Sequence, residues 1–134
     1  SRKKQIIHND LHPDNILFLK NQVNVILDFH SIKNDTILRD VSMAGFRFSA
    51  FKQSSYEKIQ NNMDMFLENY CKSKQIENIE IEIIFQFVVN EFLRKISYIL
   101  KKRYFTNSNT WNDALGKNLE FLKLILKIQN NVNK

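Results

Sequence analysis

The sequence predicts an α+β fold that is mostly helical, with a β-hairpin region followed by about four helices. Two observations point there. Before Ile37 the apolar residues come in short or alternating runs, the period of strands, and from Ile37 onward they recur at threes and fours, the period of helices burying one face. Hydrophobic residues at 43% and aromatics at 12%, with only 2 Gly and 1 Pro, exclude a disordered, collagen-like or loop-rich chain. At 134 residues about two thirds of the surface can be buried, so one domain or part of one, with a core of its own, is expected.

Three strands are predicted, over Gln5–His8, Ile16–Leu19 and Val23–Phe29. The polar run Asn9–Asn15 holds the only proline and reads as the loop between the first two. Lys20-Asn21-Gln22 suits a tight hairpin, because Asn21 tolerates positive φ. Leu38, Val41, Met43, Ala44, Phe48 and Phe51 suit a first helix. Ser54-Ser55 offers a cap for a second, with Tyr56, Ile59, Met63, Phe66, Leu67 and Tyr70 along its apolar face. A third is expected from about Ile79 to Tyr104, long enough to be a buried helix. Thr110 is the expected cap of a fourth, with Trp111, Leu115, Leu119, Leu122, Ile125 and Ile128 on one side.

The formal charge of +6 is dispersed, with Arg2-Lys3-Lys4 and Lys101-Lys102-Arg103 the only tight triplets. A solvated lysine-rich surface is expected rather than a nucleic-acid footprint. No apolar run approaches the ~18 residues that span a bilayer. The greasiest segment, Ile79–Phe92, is interrupted by Glu80, Glu82, Gln86, Asn90 and Glu91, and no signal peptide follows the basic start. A single cysteine, Cys71, cannot form an internal disulfide, which fits a reducing, cytoplasmic setting and an inert thiol.

The chemistry lies in Ile6–Phe29, IIHNDLHPDNILFLKNQVNVILDF. A strand enters a loop presenting Asp10, with Asn15 five residues on, and the chain returns through a hairpin to Asp28 at a strand end. Their convergence would set two carboxylates and a carboxamide oxygen together. Hard oxygen donors suit Mg²⁺, which keeps several waters and takes substrate phosphates as further ligands. Asn15 and Asp28 would hold that metal on a polyphosphate, leaving Asp10 to accept a proton from an incoming hydroxyl. His8, His12 and His30 lack the spacing of a zinc site.

HNDLHPDNILF…VILDF resembles the catalytic and metal-binding loops of the aminoglycoside phosphotransferase and choline kinase superfamily, small-molecule kinases with a protein-kinase-like fold. Arg39-Asp40-Val41-Ser42-Met43-Ala44 is similar to that family's helix carrying an Asp that braces the catalytic loop. The resemblance implies an ATP- and Mg-dependent phosphotransferase acting on a small-molecule hydroxyl. It makes Asp10 the catalytic base, Asn15 and Asp28 the magnesium ligands, and His8 and Asp40 structural supports. Candidate acceptors are aminoglycosides, homoserine-like amino alcohols, choline or ethanolamine, and sugars.

The chain departs from the family pattern in several places. Asn9 and Asp14 stand where glycine is frequent, and His30 follows the Asp-Phe pair where glycine or an acid is common. Gly45 and Gly116 both lie in helical context, so no Gly-rich phosphate loop is expected, nor a strand lysine paired with a helix glutamate. The expectation is therefore a C-terminal lobe over residues 1–134. Residues 1–36 would carry the catalytic and metal loops and 37–134 the helical acceptor-binding part, with the N-terminal lobe in cis or on another chain. The aromatics Phe46, Phe48, Phe51, Phe85, Phe87 and Phe92 read as core before they read as a quaternary-ammonium cage. Glu57, Asp64, Glu68 and Glu91 read as a solvated helix face. The alternatives are a non-catalytic lobe remnant or interaction module and a basic helical nucleic-acid binder.

Overall fold

The strand segments of the first third pair as two separate antiparallel ribbons. In the computed structural model, which describes residues 4–53, 55–75, 81–106 and 111–132, β1 (Lys4–Ile7) lies against β4 (Lys33–Thr36), and β2 (Ile16–Leu19) against β3 (Gln22–Ile26). Lys4 is opposite Thr36 and Ile7 opposite Lys33, so the first ribbon closes a loop that contains the second. β4 is a strand the sequence did not predict. Its residues, Lys-Asn-Asp-Thr, have no apolar alternation, and the pairing comes from β1.

The β2–β3 turn uses two residues, Lys20 and Asn21, with φ of 48° and 63°, and Leu19 pairs with Gln22 across it. Positive φ at both turn positions matches the twist of the flanking strands. Gln22 belongs to β3 and not to the turn. Leu17 faces Val25 but Phe18 faces Val23, so Asn24 is the extra residue of a bulge. β3 ends at Ile26, short of the expected Phe29, because Asp28 takes a left-handed φ of 57° and caps a single helical turn over Phe29–Ser31.

Four helices follow: α1 (Ile37–Ser49), α2 (Tyr56–Lys74), α3 (Ile81–Thr106) and α4 (Asn112–Val132). Thr36 caps α1, its hydroxyl accepting from Leu38 N at 3.4 Å. Ser55 caps α2, accepting from Lys58 N at 3.5 Å. α1 stops before Phe51, which was expected on its apolar face; the Ala50 amide turns back to Phe46 O, Lys52 takes positive φ, and Phe51 is exposed. Ser54, Ile79 and Thr110 lie outside the described residues. α3 is not buried all round: Leu93, Tyr98 and Leu100 are exposed while Ile84, Val88 and Phe92 are buried.

α1 is the hub, packing against α2, α3 and β1, and α3 packs along α4. Phe46, Ile59, Met63, Phe85, Val88, Ile125 and Ile128 form the core between them. Each such side chain contributes roughly 1.5–3 kcal/mol on burial, before the chain entropy it must offset. Gly45 permits the close approach of α1 to α2, since a Cβ there would sit 2.9 Å from the Phe66 ring. Cys71 is a free, buried thiol. Glu91 is not on a solvated face. It is 7% exposed and ion-paired to Arg39 of α1 and Arg94 of α3, because a carboxylate inside a helix contact needs charge partners. Among the described residues no helix is long and apolar enough to cross a membrane.

Candidate active site

The loop after β1 is held from below by Asp40 in the first turn of α1. Its Oδ2 accepts from His8 N at 2.8 Å and its Oδ1 from Asn9 N at 2.6 Å. Asn9 turns through a φ of 65°, a conformation in which a residue larger than Asn or Gly is strained. His8 extends the brace. Asp10 N donates to His8 Nδ1 at 3.4 Å, so the ring proton sits on Nε2, which donates to Leu27 O at 2.8 Å. The His8 ring also packs on Phe29, 4.9 Å between centroids.

Asn15 ties the same pieces from the other side. It is buried, its Nδ2 donates to Asp10 O at 2.9 Å, and its carbonyl accepts from Leu27 N at 2.8 Å. The carboxamide Oδ1 keeps no protein partner among the described residues. Leu27 is therefore clamped by His8 and Asn15, and Asp28 follows it. Asp28 bonds neither Asp10 nor Asn15 directly; its Oδ1 accepts from the His30 ring at 2.7 Å and from His30 N at 3.4 Å. The His30 side-chain and backbone hydrogen bonds hold the Asp28 carboxyl below the usual carboxylate range, against a smaller opposing effect of burial.

Arg47 is a residue that sequence reasoning missed. Its Nη1 donates to Asp10 Oδ1 at 2.7 Å, while Asp10 Oδ2 lies 4.0 Å from His12 Nε2. Arg47 comes seven residues after Asp40, two helical turns along one face of α1, and that spacing was the available signal. Beside it opens a cavity of about 490 Å³ between the His12–Asp14 loop, the end of α1, α3 and α4. A larger depression of about 600 Å³ on the α1–α2 face, lined by Phe48, Asn62, Phe66 and Tyr70, touches none of the candidate residues. Among the described residues no three His, Cys, Asp or Glu side chains are grouped to hold a metal ion. The donors present are oxygens, Asn15 Oδ1 and the Asp28 carboxylate.

The family model of the phosphotransferase enzyme family matches residues 1–67, the half of the chain that carries this loop system and its α1 brace, and the chain belongs to that family. A homoserine kinase of Rhizobium johnstonii is 30% identical over 79 residues, 59% of this chain and 24% of the relative. Homoserine kinases of Rhizobium rhizogenes and Rhizobium etli are 33% and 34% identical over 76 residues, 57% of this chain and 23% of each relative. The matched segment thus spans about a quarter of the length of these curated relatives. No solved structure matches the chain significantly.

Proposed function

We propose that this chain is the catalytic C-terminal lobe of a small-molecule kinase that moves the terminal phosphoryl group of ATP onto a hydroxyl. The observation that carries the reading is the doubly braced loop, in which Asp40 and His8 fix Asp10 and the Leu27–Asp28 step while Asn15 bridges them. Such transfer depends on positioning and charge neutralisation more than on covalent chemistry by the protein. Asp10 receives the acceptor's proton at Oδ2, since Oδ1 is held by Arg47. Asn15 Oδ1 and Asp28 are the residues that would hold Mg²⁺. Two hard oxygens suit an ion that completes its shell with water and phosphate. When bound, the metal supplies neutralisation of phosphate charge.

In this reading residues 1–36 carry the reacting groups and 37–134 build the acceptor side. A Gly-rich loop and a strand lysine would come from another part of the same protein or from a second chain. The length of the relatives supports this, as does the exposed apolar face of the hairpin, where Leu17, Phe18, Leu19 and Val23 are each at least half exposed. Among the acceptor classes, the names of the relatives favour homoserine-like amino alcohols.

One feature favours a second reading, a non-catalytic remnant: both carboxylates already have partners, Asp10 in Arg47 and Asp28 in His30. Calorimetric titration of the chain with ATP, with and without Mg²⁺, separates the two. Magnesium-dependent binding that disappears in Asp28→Ala is expected; no binding by the folded chain would put the remnant reading first. In the complete enzyme Asp10→Asn should lower turnover by ~10²–10⁴ with nucleotide binding nearly intact. Undiminished turnover would refute the role of Asp10.

A further inference from the structure

We propose that the cavity beside Asp10 takes the acceptor by an acidic group, so that the substrate class is a hydroxyl-bearing carboxylate and not a polyamine or a quaternary amine. The inference rests on the kinase reading for the fate of the hydroxyl, while the binding itself stands apart from it. Four cations line this cavity, Arg47, Lys52, Lys95 and Lys117, against one lining carboxylate, Asp14. Asp14 is solvent-exposed and lies 3.5 Å from His12, and Asp10 is already paired with Arg47. Among the described residues neither Lys95 nor Lys117 has an acidic side chain within ion-pair distance.

The cavity is therefore a partly desolvated site with excess positive charge. Burial and the adjacent Arg47 push the Lys95 ammonium below the usual lysine range, with Asp10 and Glu91 opposing them. An anion placed between Arg47 and Lys95 relieves that repulsion, whereas a cationic acceptor adds to it. Arg47 has the geometry for the task. One nitrogen is spent on Asp10, and the remaining N–H groups of its planar fork can take a carboxylate. An acid anchored there leaves its hydroxyl end within reach of Asp10. Phe46, Phe92 and Phe121, whose ring centroids lie 5.6–5.8 Å apart, give the cavity an apolar wall for the connecting carbons. An aromatic cage for choline would need that wall without the cations around it.

The test is an NMR titration of the amide-labelled chain with 4-hydroxybutyrate and, separately, 3-amino-1-propanol, two short alcohols that differ in the charge they carry. The acid is expected to shift amides at the end of α1 and along α3 and α4, and to bind at least about tenfold more tightly than the amine. Lys117 is exposed on α4, so Lys117→Glu should fold normally and weaken the acid by several-fold. Arg47→Gln, checked for folding by circular dichroism, should lose most acid binding, and Arg47→Lys should recover part of it. Equal or tighter binding of the amine, no response of the cavity to either ligand, or acid affinity unchanged in Lys117→Glu would each overturn the proposal. Magnesium-dependent ATP binding is measured on the same samples. Its survival when acid binding fails overturns this inference alone, and its absence when acid binding succeeds leaves the anion site standing and removes the kinase reading.

Discussion

Asp40 carries two backbone amides on one carboxylate, and both belong to the turn that presents Asp10. Removing it strands two N–H groups in a partly buried turn where Asn9 already holds positive φ. Asp40→Ala should therefore cost about 1–3 kcal/mol and speed amide exchange at His8 and Asn9, while Asp40→Asn, which keeps one acceptor oxygen, should recover part of both. Unchanged exchange at these amides would remove Asp40 from the brace. Glu91 sets a pH dependence of its own. Burial pushes its carboxyl up, but the hydrogen bond from Arg94 and the charges of Arg39, Arg94 and Lys95 outweigh it and hold the group below the usual range. A depressed folded-state value means that the stabilisation is fully present above the unfolded pKa of about 4.3 and is lost as pH falls through the folded value. Denaturant unfolding should show the deficit of Glu91→Gln largest at neutral pH and shrinking in acid; a constant deficit would contradict this. Asp10, Asn15 and Asp28 stand out in the sequence because they share one local segment. Arg47 does not, because it reaches Asp10 across 37 positions through the packing of α1, and its spacing from Asp40 says only that the two share a helix face.

The two glycines differ in their elements, although both sit within helices. A Cβ at Gly45 would meet the Phe66 ring at 2.9 Å and Met63 Sδ at 3.0 Å, whereas at Gly116 nothing lies within 4 Å. Gly45→Ala should destabilise by roughly 1–3 kcal/mol, since α1 and α2 must part or Phe66 must leave its rotamer. Gly116→Ala should stabilise by up to about 1 kcal/mol through helix propensity alone. Thermal melts of the two variants should move in opposite directions, and a shared direction would mean that the α1–α2 contact is looser than described. The helices were legible because each buries a stripe at threes and fours, as Ile59, Met63 and Leu67 do in α2. β4 was not, since Lys33–Thr36 is a strand only by virtue of its partner. The end of α1 was misread because Phe51 continues the apolar period past the point where the backbone turns away.

For the molecule as a whole, the apolar residues divide between a helical core and a hairpin whose side chains face outward. Ile6, Leu17, Phe18, Leu19 and Val23, on ribbons of two strands each, are at least half exposed, as is Phe29 in the turn that follows β3. Two-stranded ribbons with open apolar faces tend to find partners. The isolated chain should self-associate and bind a hydrophobic dye, and Phe18→Lys with Val23→Thr should reduce both without lowering the melting temperature. A dye-silent monomer at high concentration would contradict this and weaken the argument for a second lobe seated there. The buried thiol of α2 offers a built-in clock. Cys71 is the one thiol, buried near the C-terminal end of α2. A thiol reagent meets it only when that end of the helix lifts, so the labelling rate, set against that of the unfolded chain, counts how often the bundle opens without any introduced probe.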